Sequence, residues 1–104
     1  MNEAAGMKGY EIAHLLEYYP LIFKQLLNIV KDSHIPPSIP IGQFLVVNTS
    51  SHWVTLHHSQ EFGYELFDSL GLNSGFIKKL PKSYLHLTTN VTQIQSSSSS
   101  KETF

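Results

Sequence analysis

The sequence predicts an α+β fold in which N-terminal helices pack on a small, mainly antiparallel sheet. Three observations lead there: an apolar repeat of three and four over residues 10–32, three short runs rich in Val, Phe, Tyr and Leu over 43–67, and a second helix-then-strand pattern over 73–94. The chain has 104 residues and ordinary apolar content, which suits one domain with a modest core. We place that domain at 1–95 and a flexible Ser-rich tail at 96–104.

In the first segment Ile12, Leu15, Leu16, Tyr19, Phe23, Leu26, Leu27 and Val30 recur at the helical period, and Pro20 interrupts them. Two helices meeting at a bend are expected, because proline removes an intrahelical donor. Their aromatic face, with Tyr18, Tyr19 and Phe23, reads as core. Residues 33–40 carry Pro36, Pro37 and Pro40 and should form an extended connector.

Residues 43–48, 53–58 and 64–67 read as three strands of a meander, separated by polar or glycine-containing turns. Asn73 then offers an N-cap for a short helix that ends before Pro81. Residues 84–94 alternate well enough for a further strand. The serine tract 96–100 is too polar to pack. With no element after it to close the domain, the chain reads as truncated or degenerate at its C-terminal end.

Composition narrows the function classes. Seven Lys and Arg against eight Asp and Glu leave a formal net charge of −1, and the cations are scattered, so a phosphate-neutralising surface for nucleic acid is not expected. No basic-then-apolar leader opens the chain, and no apolar run approaches a membrane span, which gives the expectation of a soluble, intracellular protein without a membrane partner. Cysteine is absent, so disulfides, thiolate metal sites and a thiol nucleophile are excluded within these residues. The sequons at Asn48 and Asn90 read as chance matches in a chain without a secretory signal.

The segment that carries chemistry is Phe44-Leu45-Val46-Val47-Asn48-Thr49-Ser50-Ser51-His52-Trp53-Val54-Thr55-Leu56, followed by Leu66-Phe67-Asp68-Ser69-Leu70-Gly71. If the second and third strands pair through the turn near residues 60–63, His52 begins one strand and Asp68 ends its neighbour, at one edge of the sheet. A carboxylate on one imidazole nitrogen sets the tautomer and leaves the other as a base. Strand-end His and Asp are also common as turn and surface residues, and the residues taken alone leave both readings open. His57 and His58 with His52 suggest a zinc site only weakly, since adjacent strand residues point to opposite faces. No metal or cofactor is expected.

The order Val-Asn-Thr, His-Trp, then Leu-Phe-Asp-Ser-Leu-Gly resembles the adenovirus endopeptidase and its relatives encoded by Polinton or Maverick elements, within the wider clan of SUMO-type cysteine proteases. The resemblance covers about residues 43–95. It implies that His52 is the general base, Asp68 the acid that orients it, Gln95 a contributor to the oxyanion hole and Trp53 an aromatic shield. In that family a Cys-Gly pair opening a helix supplies the nucleophile some residues after the glutamine. Here the corresponding stretch is 96–104, with no cysteine, so the chain is expected not to cleave peptides. It reads as a fragment or degenerate copy of a cysteine endopeptidase. A non-catalytic module that binds a peptide or protein stands as the alternative.

Overall fold

The run Phe-Leu-Val-Val-Asn has no polar break, which suits a strand buried among neighbours, and the computed structural model places it there as β2 (Phe44–Asn48). The structure describes residues 7–69 and 74–90. Trp53–Ser59 forms β3 and Gly63–Phe67 forms β4, each antiparallel to the strand before it. Ser59 Oγ closes the β3–β4 turn by accepting the Glu61 and Phe62 amides, and Gly63 takes φ +73°, which side chains disfavour. The meander expected from the sequence is therefore present, with ends shifted by one residue at most.

The first segment departs from expectation. Gly9–Leu16 is a helix (α1) and Pro20–Phe23 a single turn (α2), with Pro20 at its start as its missing N–H allows. The second long helix is replaced by a strand, β1 (Leu26–Lys31), parallel to β2 with Ile29 beside Val46 and Val30 beside Val47. Contiguous apolar residues with β-branched Ile29 and Val30 favour a strand once a partner edge is present. Helical spacing persists by coincidence through Leu26, Leu27 and Val30.

A short strand, β5 (Thr88–Asn90), runs parallel to β4, so among the described residues the sheet has the order β1-β2-β3-β4-β5. The architecture is α+β with a five-stranded mixed sheet. "Mainly antiparallel" is thus corrected, because both outer pairs are parallel. Each parallel pair needs a crossover. Residues 32–43 make the first, with a 3-10 turn at Asp32–His34 followed by the proline-rich connector. Residues 68–87 contain the second, with α3 (Ser74–Lys78) and a 3-10 turn at Lys82–Tyr84.

Both crossovers lie on the same face of the sheet. Leu45, Val47, Val54, Leu56 and Leu66 alternate along β2, β3 and β4 to that face. There they form one cluster with Ile39 of the first crossover and Phe76 and Tyr84 of the second. The connector is also held by polar contacts: Tyr84 donates its hydroxyl to Pro36 O at 2.9 Å, and Tyr64 Oη accepts the Ile39 amide at 3.1 Å. His58 Nδ1 bonds Ile39 O, and its ring stacks on Tyr64 at 4.0 Å.

The N-terminal helices do not supply the core as expected. Neither α1 nor α2 buries a residue, and Tyr18, Tyr19 and Leu21 are 71%, 60% and 76% exposed. The crossovers already fill the face that the helices would have covered. The start of α1 instead approaches the other side of β1, where a Cβ on Gly9 would meet Ile29 Cγ2 at 3.4 Å. Among the described residues no helix is long and apolar enough to cross a membrane. The helix cap proposed at Asn73, the strand beyond Asn90 and the serine tail lie outside the described residues.

Candidate active site

β3 opens one residue after His52 and β4 closes one residue before Asp68. The register Thr55↔Phe67, carried one pair further, sets Asp68 opposite Val54 and leaves His52 diagonal to it on the same face. The two side chains meet: His52 Nε2 lies 2.9 Å from Asp68 Oδ1. Both are buried, at 6% and 1% exposure, so water competes little for the contact. This juxtaposition is the one expected from the strand ends.

The turn before β3 holds the other side of the imidazole. Three bonds tie Thr49 to the main chain of His52: the Thr49 amide to His52 O at 2.9 Å, the Thr49 hydroxyl to the same carbonyl at 3.1 Å, and the His52 amide to Thr49 Oγ1 at 3.3 Å. At the apex Ser50 takes φ +83°, and its amide donates to Asn48 Oδ1 at 2.7 Å. That conformation is uncommon for a residue with a Cβ. It turns Ser51 back, so that Ser51 Oγ lies 3.1 Å and Thr49 Oγ1 3.4 Å from His52 Nδ1.

Chemically, a carboxylate beside Nε2 favours the tautomer with the proton on that nitrogen, which makes Nδ1 the basic position. A base so oriented, with its acid behind it, can take a proton from any group placed at Nδ1. Trp53 begins β3 and contributes to a cleft of about 430 Å3 with Met7, Lys8, Gly9, Ile29, Val30, Lys31 and Asn48. Gln95 lies outside the described residues.

The other histidines separate as alternation requires. His57 Nδ1 pairs with Glu65 Oε1 at 2.9 Å on one face, while His58 faces the connector on the other. The His57–Glu65 pair was missed in the sequence, although the β3–β4 register places the two directly opposite. Among the described residues no three His, Asp or Glu gather into a group able to hold a metal ion. Compared with protein-family models, curated protein sequences and solved structures, the chain matches none.

Proposed function

We propose that this chain carries the base and acid of a cysteine-endopeptidase active site of the adenovirus-protease type, and that these 104 residues by themselves do not cleave peptides. The observation that carries the reading is the buried 2.9 Å contact between His52 and Asp68, on the residues to which the sequence resemblance assigns those roles. A thiolate is the covalent agent of such chemistry, and these 104 residues hold no cysteine. His52 therefore has no thiol to activate within the chain. The reading describes a fragment or degenerate copy, with Gln95 as its oxyanion-hole residue.

A second reading, a module that grips an extended peptide without cutting it, is favoured by the sheet itself. Among the described residues β1 and β5 each have a neighbour on one side only, and strand addition to such an edge needs no nucleophile. The two readings share one test. A library of extended peptides is incubated with the chain, and both binding and cleavage are followed. Binding without cleavage, unchanged by His52→Ala, supports a peptide-holding module. For the endopeptidase origin, the test is a crystal structure superposed on the adenovirus enzyme. His52 and Asp68 should fall on its base and acid; strands that overlay while the pair does not would end that reading.

A further inference from the structure

We propose that the cleft between the start of α1 and the outer face of β1, β2 and β3 binds a carboxylate that carries an apolar body. Two sources have that chemistry: a free organic acid, and the C-terminus of a peptide that ends in an apolar residue. This goes beyond the protease-derived reading and does not rest on it.

The strand register builds the site. Lys31 lies beside Asn48, and Asn48 beside Trp53, so the three form one row across the sheet. Side chains alternate along a strand, and the neighbouring Val47 and Val54 turn into the core. The row therefore projects from the opposite face. By the same alternation His52 belongs with Asp68 on the core side, so the cleft is separate from that pair. Met7, Lys8 and Gly9, where α1 begins, form the other wall. Gly9 lets this wall come close, since a Cβ there would meet Ile29 Cγ2 at 3.4 Å. The space is about 430 Å3, within the range of small-molecule sites.

Charge and hydrogen-bonding capacity set the chemistry of the ligand. Among the described residues, two ammonium groups, Lys8 and Lys31, line the cleft, and no carboxylate does. The acids nearest them along the chain are engaged elsewhere. Asp32 Oδ2 accepts from Lys79 Nζ at 3.1 Å, and Glu11 Oε1 accepts the Lys8 amide at 2.7 Å. Asn48 Oδ1 accepts the Ser50 amide at 2.7 Å, which leaves Nδ2 to donate. Trp53 Nε1 is a buried donor with no acceptor. The side-chain polar groups of the cleft thus offer protons and positive charge, and an anion complements both.

The rest of the lining is apolar, with Met7, Ile29 and the indole ring. A bare ion leaves that surface in water. An acid with an aliphatic or aromatic body covers it while its carboxylate reaches the two ammonium groups.

The test is titration of the chain with phenylpropionate and with an acetylated tripeptide ending in leucine, each as free acid and as amide. Acetate and inorganic phosphate are the controls. Trp53 is the chain's one tryptophan, so its fluorescence reads the cleft, and the NMR signals of its indole N–H and of the Asn48 side-chain amide read it again. At least one acid should bind saturably with a Kd of about 1 mM or tighter, and its amide, acetate and phosphate at least about tenfold more weakly. Lys8→Gln and Lys31→Gln should each weaken the acid about two- to fivefold, and together about tenfold. Neither lysine is in an ion pair among the described residues, so the thermal midpoint should not move.

Acid and amide bound equally, binding unmoved by the double substitution, or acetate or phosphate bound as tightly as the acids would overturn the proposal. So would silence of both signals at about 20 mM acid, far above the expected Kd. Binding of the tripeptide acid alone identifies a chain terminus as the ligand, and binding of phenylpropionate alone a free acid. Strand addition to β1 is told apart on the same samples, because it takes the tripeptide amide as well as the acid and ignores both lysine substitutions.

Discussion

His52 Nε2 and Asp68 Oδ1 are 2.9 Å apart although sixteen residues separate them in sequence, and the contact is closed off from solvent at 6% and 1% exposure. Its position follows from the β3–β4 register, which brings the first residue before one strand diagonally against the first residue after the other. A bond in such surroundings contributes to stability as well as to chemistry.

Asp68→Ala should therefore destabilise the fold by about 1–3 kcal/mol, the cost of leaving a buried donor without its acceptor. Urea unfolding measures it. In the wild-type chain, imidazole 15N shifts should report the proton on Nε2 of His52. A stability change within about 0.5 kcal/mol, the range of ordinary surface substitutions, would mean that the pair is open to water in solution.

Ser50→Gly should stabilise the protein by about 1 kcal/mol, because φ +83° costs a residue with a Cβ and costs glycine little. Thermal melts of the two chains decide it. A lower midpoint for the glycine variant would show that the turn does not hold this backbone in solution.

Tyr84 gives a prediction at alkaline pH. Burial, and secondarily the neighbouring Tyr64, push its phenol from the ordinary value of 10.0 up to about 12. The folded state then holds the proton through a range in which the unfolded state has lost it. Stability from this group is complete below about pH 10 and declines as pH rises toward about 12. The loss is roughly 2–3 kcal/mol over that interval, at about 1.4 kcal/mol per pH unit. Tyr84→Phe should remove most of this slope in chemical unfolding measured at pH 9, 10 and 11. At neutral pH it should cost only about 1 kcal/mol, for the lost bond to Pro36 O.

Leu21 and Leu56 should respond in opposite ways to truncation or charge. Leu56 is fully buried in β3, so Leu56→Ala should cost about 2–5 kcal/mol. Leu21 is 76% exposed, so Leu21→Lys should change stability by less than about 0.5 kcal/mol. A large loss at Leu21 would return α2 to the core, where its periodicity alone had put it.

These contrasts show what was legible in local pattern. The runs 44–48, 53–59 and 63–67 declare themselves as strands because β-branched and aromatic residues fill them and turn residues bound them. A turn between the last two then settles which ends meet. His52 and Asp68 could be brought together without knowing the rest of the fold. The residues 26–31 carried two compatible patterns, helical spacing and a β-branched apolar run, and pattern alone chose the wrong one.

The sequence by itself determined the α+β class, the β2–β4 meander and the meeting of His52 with Asp68, since all three depend on neighbours close along the chain. Only the tertiary structure decided that residues 26–31 join the sheet, that both crossovers cover one face, and that the aromatic residues of α1 and α2 stay outside. Parallel pairing and the choice of face are settled by contacts between distant segments. Those contacts leave no period in the sequence, so the competition among elements for one buried surface resolves them.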